Sequence, residues 1–140
     1  MGISKIWVFG EATEAGATAS TLELLTRSRQ LADTVEVVMS GDAVAVAGAL
    51  GAHGATTVHT IGVIEGSLAG PRIASAIAGA VEAGTGPDVL LCSTSYDGRD
   101  VAGRLSAKVD RPVLTNVVDL IADGDRLVGS EPVFGGTTDV

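Results

Sequence analysis

Short apolar runs alternate with amphipathic segments along this chain, and that alternation restricts the possible folds more than any other feature. Runs typical of strands begin at Lys5, Val35, Thr57 and Val89, and each is followed by apolar residues at helical spacing. Repeated strand–helix units give a parallel sheet with right-handed crossovers and helices on both faces. The sequence therefore predicts one α/β domain over residues 1–140, with three layers and a mostly parallel sheet.

The last third of the chain indicates how this sheet is completed. Residues 113–121 form an apolar run that predicts a fifth parallel strand, and residues 127–134 predict a last strand that returns antiparallel after a turn. We expect the first and fourth strands to be adjacent at the centre of the sheet. Ser20 and Glu23 resemble a capping box at the start of the first helix, and Pro71 suits the first turn of the third helix.

Composition argues against several classes of function. The net charge is −8, and the nine Lys and Arg residues are scattered rather than interleaved with aromatics, which disfavours nucleic acid and anionic membrane surfaces as partners. Cys92 is the single cysteine, so no intrachain disulfide can form, and no Cys/His cluster has metal-ligand spacing. No stretch reaches the roughly 20 apolar residues of a membrane helix. These features predict a soluble protein of a reducing, cytoplasmic compartment without direct membrane insertion.

The known phosphate-binding motifs do not occur at the expected places. The loop after the first strand runs from Gly10 to Gly16 without the G-x-G-x-x-G pattern. Its two glutamates, Glu11 and Glu14, would repel a pyrophosphate, and no Walker lysine motif exists. A dinucleotide or P-loop site is therefore not expected.

The most polar strand-end loop is the candidate binding site. Ser95, Asp97, Gly98, Arg99 and Asp100 follow the fourth strand and open a helix, whose backbone N–H groups, assisted by Arg99, could hold an anion. The alternative is a capped turn, in which Asp97 or Asp100 caps the helix and Arg99 pairs with a carboxylate. We expect no tightly bound nucleotide here, because a single arginine among carboxylates attracts phosphate weakly.

No catalytic set can be assembled from the remaining chemistry-bearing residues, so the chain is not expected to be an enzyme. Cys92 lies in an apolar strand and is predicted to be a buried, unreactive thiol. His53 and His59 have no nucleophile or carboxylate at a suggestive spacing and are interpreted as packing or surface histidines. Trp7 and Tyr96 are lone aromatics without a stacking platform.

Four segments, taken in order, resemble the amino-terminal domain of the electron transfer flavoprotein α subunit. They are STLELLT at 20–26, LGAHGA at 50–55, YDGRDVAGRLSA at 96–107 and EPVFGG at 131–136. The G-R-D-x-x-x-R-L pattern inside the third segment is the most specific of them. The resemblance covers the whole chain but only about half of a typical family member.

The resemblance implies a Rossmann-like sheet of the adenine nucleotide alpha hydrolase-like type. It implies an α/β heterodimer with FAD that carries electrons from dehydrogenases, such as acyl-CoA dehydrogenases, to a membrane quinone oxidoreductase. In the family, FAD is held chiefly by the carboxy-terminal domain of the α subunit, which we expect to be absent from these 140 residues, and AMP, where present, by the β subunit. This chain would then be a platform that is colourless and transfers no electrons by itself.

Two other interpretations remain open at the level of sequence. A universal-stress-type nucleotide-binding domain has a similar strand–helix order, although its glycine-spaced phosphate loop is missing after the fourth strand here. A stand-alone protein-interaction domain is the other. Titration with ATP or AMP tests the first of these, and co-purification with a β-subunit homologue tests the second.

Overall fold

Four strands form one parallel sheet in the computed structural model, which describes residues 2–133 and 138–139. Helices cover both faces of this sheet, and short antiparallel strand pairs lie outside it. In chain order the elements are β1 (Ile3–Phe9), β2 (Ala12–Thr13), β3 (Gly16–Ala17), α1 (Ala19–Ser28), β4 (Ala32–Met39), α2 (Ala47–Ala52), β5 (Thr57–Thr60), α3 (Ala69–Glu82), β6 (Val89–Leu91), α4 (Tyr96–Val109), β7 (Asp119–Asp123), β8 (Arg126–Ser130), β9 (Pro132–Val133) and β10 (Thr138–Asp139).

The strand order of the sheet is β5-β4-β1-β6. On one side of β1, Trp7 is in register with Glu36 of β4, and on the other side with Leu90 of β6. The chain thus builds outwards from β1 through β4 to β5, and then crosses back to place β6 at the opposite edge. This confirms the predicted α/β fold and the predicted adjacency of the first and fourth strands. The predicted central position of the fourth strand is wrong, because β6 is an edge strand of the described sheet.

The predicted fifth parallel strand over residues 113–121 is wrong. Asn116 has a left-handed backbone with φ 54°, which an extended ladder does not tolerate. Only the end of this segment is extended, in β7, and β7 pairs antiparallel with β8 across a turn at Gly124. Pairing with an immediate neighbour along the chain closes a very short loop and therefore costs little entropy.

The predicted antiparallel return of residues 127–134 is confirmed as far as it lies in β8. Position 134 itself lies outside the described residues. Two further short strands, β9 and β10, also pair antiparallel.

Hydrophobic core clusters lie on opposite faces of the sheet, which makes the fold three layers deep. Side chains of successive residues in β1 point to opposite faces of the sheet. Trp7 and Phe9 pack towards α3 and α4, whereas Val8 packs towards α1 and α2. The helices contribute fully buried side chains from one stripe each: Leu25, Leu50, Ile73, Ile77 and Val101.

Helix starts follow the sequence only in part. The N-cap of α1 is Thr18, whose hydroxyl accepts a hydrogen bond from the backbone N of Thr21 at 3.3 Å. Ser20 lies inside the helix, so the predicted capping box with Glu23 is wrong. Pro71 lies in the first turn of α3, as predicted.

Candidate functional site

The candidate site lies where β1 and β6 end side by side. Beyond β1 the chain moves to one side of the sheet, and β6 lies on the other side. A parallel sheet of this kind binds ligands in the crevice at such a switch point, outside the carboxyl ends of the strands. The sequence places Glu11 after β1, and Ser93 and Ser95 after β6.

Glu11 reaches across this crevice to the two serines that follow β6. Ser93 Oγ donates a hydrogen bond to Glu11 Oε1 at 2.6 Å. Ser95 Oγ lies 2.8 Å from Oε1 and 2.9 Å from Oε2, and donates to the same carboxylate. The crevice therefore already holds a negative charge that belongs to the chain itself. Sequence reasoning noted the charge of Glu11 but did not find its partners.

The candidate residues form the start of α4 rather than a loop. Ser95 is the N-cap, and its hydroxyl accepts from the backbone N of Gly98 at 2.9 Å. Asp97, Gly98, Arg99 and Asp100 lie in the first helical turns. The expectation that Asp97 or Asp100 caps the helix is therefore wrong, since Ser95 does so.

Arg99 and Asp100, adjacent in sequence, point to different surroundings. Arg99 is exposed and, within the described residues, takes part in no ion pair. Asp100 is paired along the helix with Arg104, whose Nε lies 2.8 Å from Asp100 Oδ1. The structure thus does not gather the five candidate residues around a common point.

Asp100 also sets how closely α3 and α4 approach each other. A Cβ at Gly70 of α3 would lie 1.9 Å from Asp100 Oδ2, an atom that is buried without a hydrogen-bond partner among the described residues. The first turn of α3 has no acidic residue, and its N-cap, Leu68, makes no side-chain cap. A carboxylate beside the positive end of a helix is favourable, so Asp100 supplies from α4 the charge that α3 lacks.

Gly70→Ala is expected to destabilise the chain by about 2 kcal/mol, because the new methyl group displaces the Asp100 carboxylate. Gly79→Ala is the matched control in the same helix, since its Cβ would meet nothing within 4 Å, and it should stabilise α3 by up to about 1 kcal/mol. The measurement is urea unfolding of both variants. In a double-mutant cycle, Asp100→Ala should recover most of the loss caused by Gly70→Ala. If the stability losses of Gly70→Ala and Asp100→Ala were simply additive in the double variant, the described contact between these two residues would be contradicted.

Cys92 is a half-buried thiol immediately after β6. Burial, and secondarily the negative charge of Glu11, raise its pKa from 9.0 to about 12. A thiol that holds its proton so firmly is a poor nucleophile at neutral pH. Cys92 is thus less buried than the sequence predicted, and its low reactivity stays a prediction, which the raised pKa supports.

A polar contact that sequence reasoning missed lies on the sheet face under α3 and α4. His59 Nε2 lies 2.7 Å from Glu36 Oε2, and the His59 ring stacks on Trp7 with 4.6 Å between centroids. His59 therefore does have a carboxylate partner, and Trp7 a stacking partner, contrary to expectation. The one signal in the sequence was the charged Glu36 within the apolar run of β4. Its partners depend on strand register, which the sequence does not show.

A wide groove of about 1160 Å³ follows the outer edge of the sheet. Its walls include residues of α1, α3, β6 and α4 and residues 111–120, and β6 has no neighbour on that side of the sheet among the described residues. Near it, Leu114, Val118 and Ile121 remain 63%, 66% and 52% exposed. Contiguous apolar exposure of this kind is typical of surfaces that another chain covers.

Metal-ligand clusters and membrane-spanning helices are both absent from the part of the chain that the structure describes. In residues 2–133 and 138–139, no group of three His, Cys, Asp or Glu side chains is placed to hold a metal ion. The helices of the same ranges include none that is both long and apolar enough to cross a membrane.

The fold and the crevice define a Rossmann-like α/β domain, at whose strand-end crevice the Glu11 carboxylate is hydrogen-bonded to Ser93 and Ser95. Comparison with known proteins specifies the family. Residues 6–140 match the model of the electron transfer flavoprotein domain. The chain therefore belongs to the electron transfer flavoprotein family, which confirms the resemblance found in the sequence.

Several curated relatives carry the name electron transfer flavoprotein subunit alpha. The protein from Mycobacterium tuberculosis is 30% identical over 138 residues, which are 96% of this chain and 42% of that protein. The protein from Mycobacterium leprae is 28% identical, over 92% of this chain and 40% of that protein. The protein from Syntrophomonas wolfei is 25% identical, over 93% and 41%. The chain thus spans about two fifths of the length of these relatives.

Proposed function

We propose that these 140 residues are the amino-terminal domain of an electron transfer flavoprotein α subunit and act as its platform. The α subunit pairs with a β subunit and FAD, and shuttles electrons from dehydrogenases, such as acyl-CoA dehydrogenases, to a respiratory quinone oxidoreductase. The domain itself is an electron-carrier part rather than a catalyst. With a single cysteine, we place it in a reducing, cytoplasmic compartment.

The observation that carries this proposal is that most specified residues of the G-R-D-x-x-x-R-L segment have structural roles within the domain. Gly98 lets the helix approach Ser93, Asp100 and Arg104 pair along α4, and Leu105 is buried in the core. Four of its five specified residues thus serve packing within the domain. A segment with these roles supports a platform rather than a cofactor site.

The location of FAD follows from the same reasoning and is also a proposal. A flavin site encloses most of its ligand and supplies a few placed polar groups, while the flavin supplies the redox chemistry. The groove beside β6 is broad and open, and the polar crevice beside it holds Glu11. We assign FAD to the carboxy-terminal part of the α subunit, and the exposed apolar surface near residues 114–121 to contact with the β subunit.

Reconstitution tests the proposal directly. Mixed with excess FAD and desalted, this chain should retain no flavin absorbance. Mixed with the β subunit and the carboxy-terminal part of an electron transfer flavoprotein α subunit, it should elute as a complex with a retained flavin band. The β subunit and carboxy-terminal part without this chain are the control.

Two results would contradict the proposal. Stoichiometric flavin on this chain alone would show that it carries its own site. Failure to co-elute with the β subunit, when the control proteins are folded, would favour a stand-alone interaction domain. A universal-stress-type domain is less well supported, because the Glu11 carboxylate lies where phosphate groups would have to bind.

A further inference from the structure

The crevice between β1 and β6 has the features that attract an anion in this type of fold. It lies at the switch point of the sheet, where parallel folds bind their ligands. The first turn of α4, a helix of 14 residues, opens onto it with its positive end. Two serine hydroxyls, from Ser93 and Ser95, point at the same place. An anion is in fact bound there, and it is the carboxylate of Glu11.

Glu11 is fixed as firmly through its backbone as through its carboxylate. Its backbone N donates to Thr21 Oγ1 at 3.0 Å, and its carbonyl accepts from the backbone N of Thr18 at 2.9 Å. The hydroxyl of Thr21 belongs to a side chain that is 1% exposed in the core. The start of α1 therefore holds Glu11 in place, while the start of α4 holds its carboxylate.

Both serine hydroxyls of the crevice donate to the Glu11 carboxylate in this arrangement. Ser95 accepts from the backbone N of Gly98 and donates to Glu11, so one hydroxyl relays the helix N-terminus to the carboxylate. Ser93 donates to the same carboxylate at 2.6 Å. The negative charge of Glu11 also contributes to the raised pKa of the nearby Cys92 thiol. A phosphate group entering here would find both serine hydroxyls already bound to Glu11 and would meet a like charge.

We propose that Glu11 is the built-in anion of this crevice: its carboxylate takes the position of a ligand phosphate, ties the end of β1 to the start of α4, and excludes phosphate-bearing ligands. Glu11 is thus a specificity residue that acts by occupying the site. Removal of its charge should expose the serine pair and the end of α4 to an external anion. The inference concerns this domain alone and does not depend on the proposed redox role.

The test titrates inorganic phosphate into the isotopically labelled chain at constant ionic strength and follows the amide signals of Ser95 and Gly98. The intact chain should show no saturable shift in the millimolar range. Glu11→Ala should show a saturable shift, with an affinity at least about tenfold above the limit that the intact chain sets, because charge-assisted bonds from the helix end and serines become available. Glu14→Ala is the matched control, since Glu14 is an exposed glutamate of the same loop, and it should behave like the intact chain.

Each alternative result would overturn the proposal. Saturable phosphate binding by the intact chain at these amides would show that the crevice is open. Equal gains in Glu14→Ala and Glu11→Ala would show a general effect of charge. Circular dichroism verifies folding, and if Glu11→Ala does not fold, the similarly shaped Glu11→Gln decides. No gain of phosphate binding in a folded Glu11 variant would refute the exclusion role.

Discussion

Replacing Gly98 by alanine should destabilise the chain by about 3 kcal/mol, at the upper end of what overpacking costs. A Cβ at this position would lie 2.2 Å from the backbone oxygen of Ser93 and 3.1 Å from Ser95 Oγ. The obstructing atom nearest to it is backbone, so it cannot swing away. Either α4 or the end of β6 must shift, and the cap made by Ser95 must be disturbed with it.

Gly103→Ala provides the matched control for this prediction. Gly103 lies in the same helix, and its Cβ would meet nothing within 4 Å, so alanine should stabilise the helix by up to about 1 kcal/mol. Urea unfolding followed by the fluorescence of Trp7, the single tryptophan, measures both variants. Equal stabilities of Gly98→Ala and the parent chain would show that α4 does not approach Ser93 as described.

Cys92 should react with iodoacetamide about fiftyfold more slowly in the folded chain than in guanidinium at pH 8. Burial and the charge of Glu11 raise the pKa of the thiol from 9.0 to about 12, which lowers the thiolate fraction about a thousandfold. The more basic thiolate is intrinsically more nucleophilic, which raises its reaction rate about twentyfold and offsets part of this loss. Intact-mass spectrometry over time gives both rates.

The pH dependence of the free energy of unfolding supplies a second check on the raised pKa of Cys92. Because its pKa is raised on folding, the neutral thiol favours the folded state, and this contribution is fully present below pH 9.0 and declines towards pH 12. A Cys92→Ala variant should therefore lose less stability than the parent in that alkaline range.

Glu11→Gln should accelerate the labelling of Cys92 modestly, because it removes only the charge of Glu11, the smaller of the two causes of the raised pKa. Equal labelling rates in folded and unfolded chains would contradict the described burial.

The elements that depend on local pattern could be predicted from the sequence. The apolar runs of β1, β4, β5 and β6 and the stripe of α3 with Pro71 are all found where expected. The adjacency of β1 and β6 was expected from the alternation of strands and helices and is observed. The apolar pattern of residues 113–121 was misleading, because the left-handed backbone at Asn116 and the nearby turn at Gly124 favour a hairpin.

The candidate site was harder to predict because its partners are distant in sequence. Glu11 and Ser95 are separated by 84 positions, and Glu36 and His59 by 23. Such pairs can be predicted only when the strand order and the register are known. The N-cap of α1 shows the same difficulty at short range, since Thr18 and Ser20 are both good N-cap residues. Thr18 is the N-cap in the structure, where the buried Thr21 hydroxyl accepts a hydrogen bond from the backbone N of Glu11.

The position of β1 inside the sheet has a consequence for synthesis on the ribosome. Chains emerge amino terminus first, so β4 is available to β1 soon after β1 itself, whereas Ile6 must wait for Val89. Until then the second edge of β1 presents unpaired N–H and C=O groups, the kind of edge on which other chains nucleate aggregates. A nascent chain that stalls between β5 and β6 therefore exposes a strand that the finished protein buries between two neighbours.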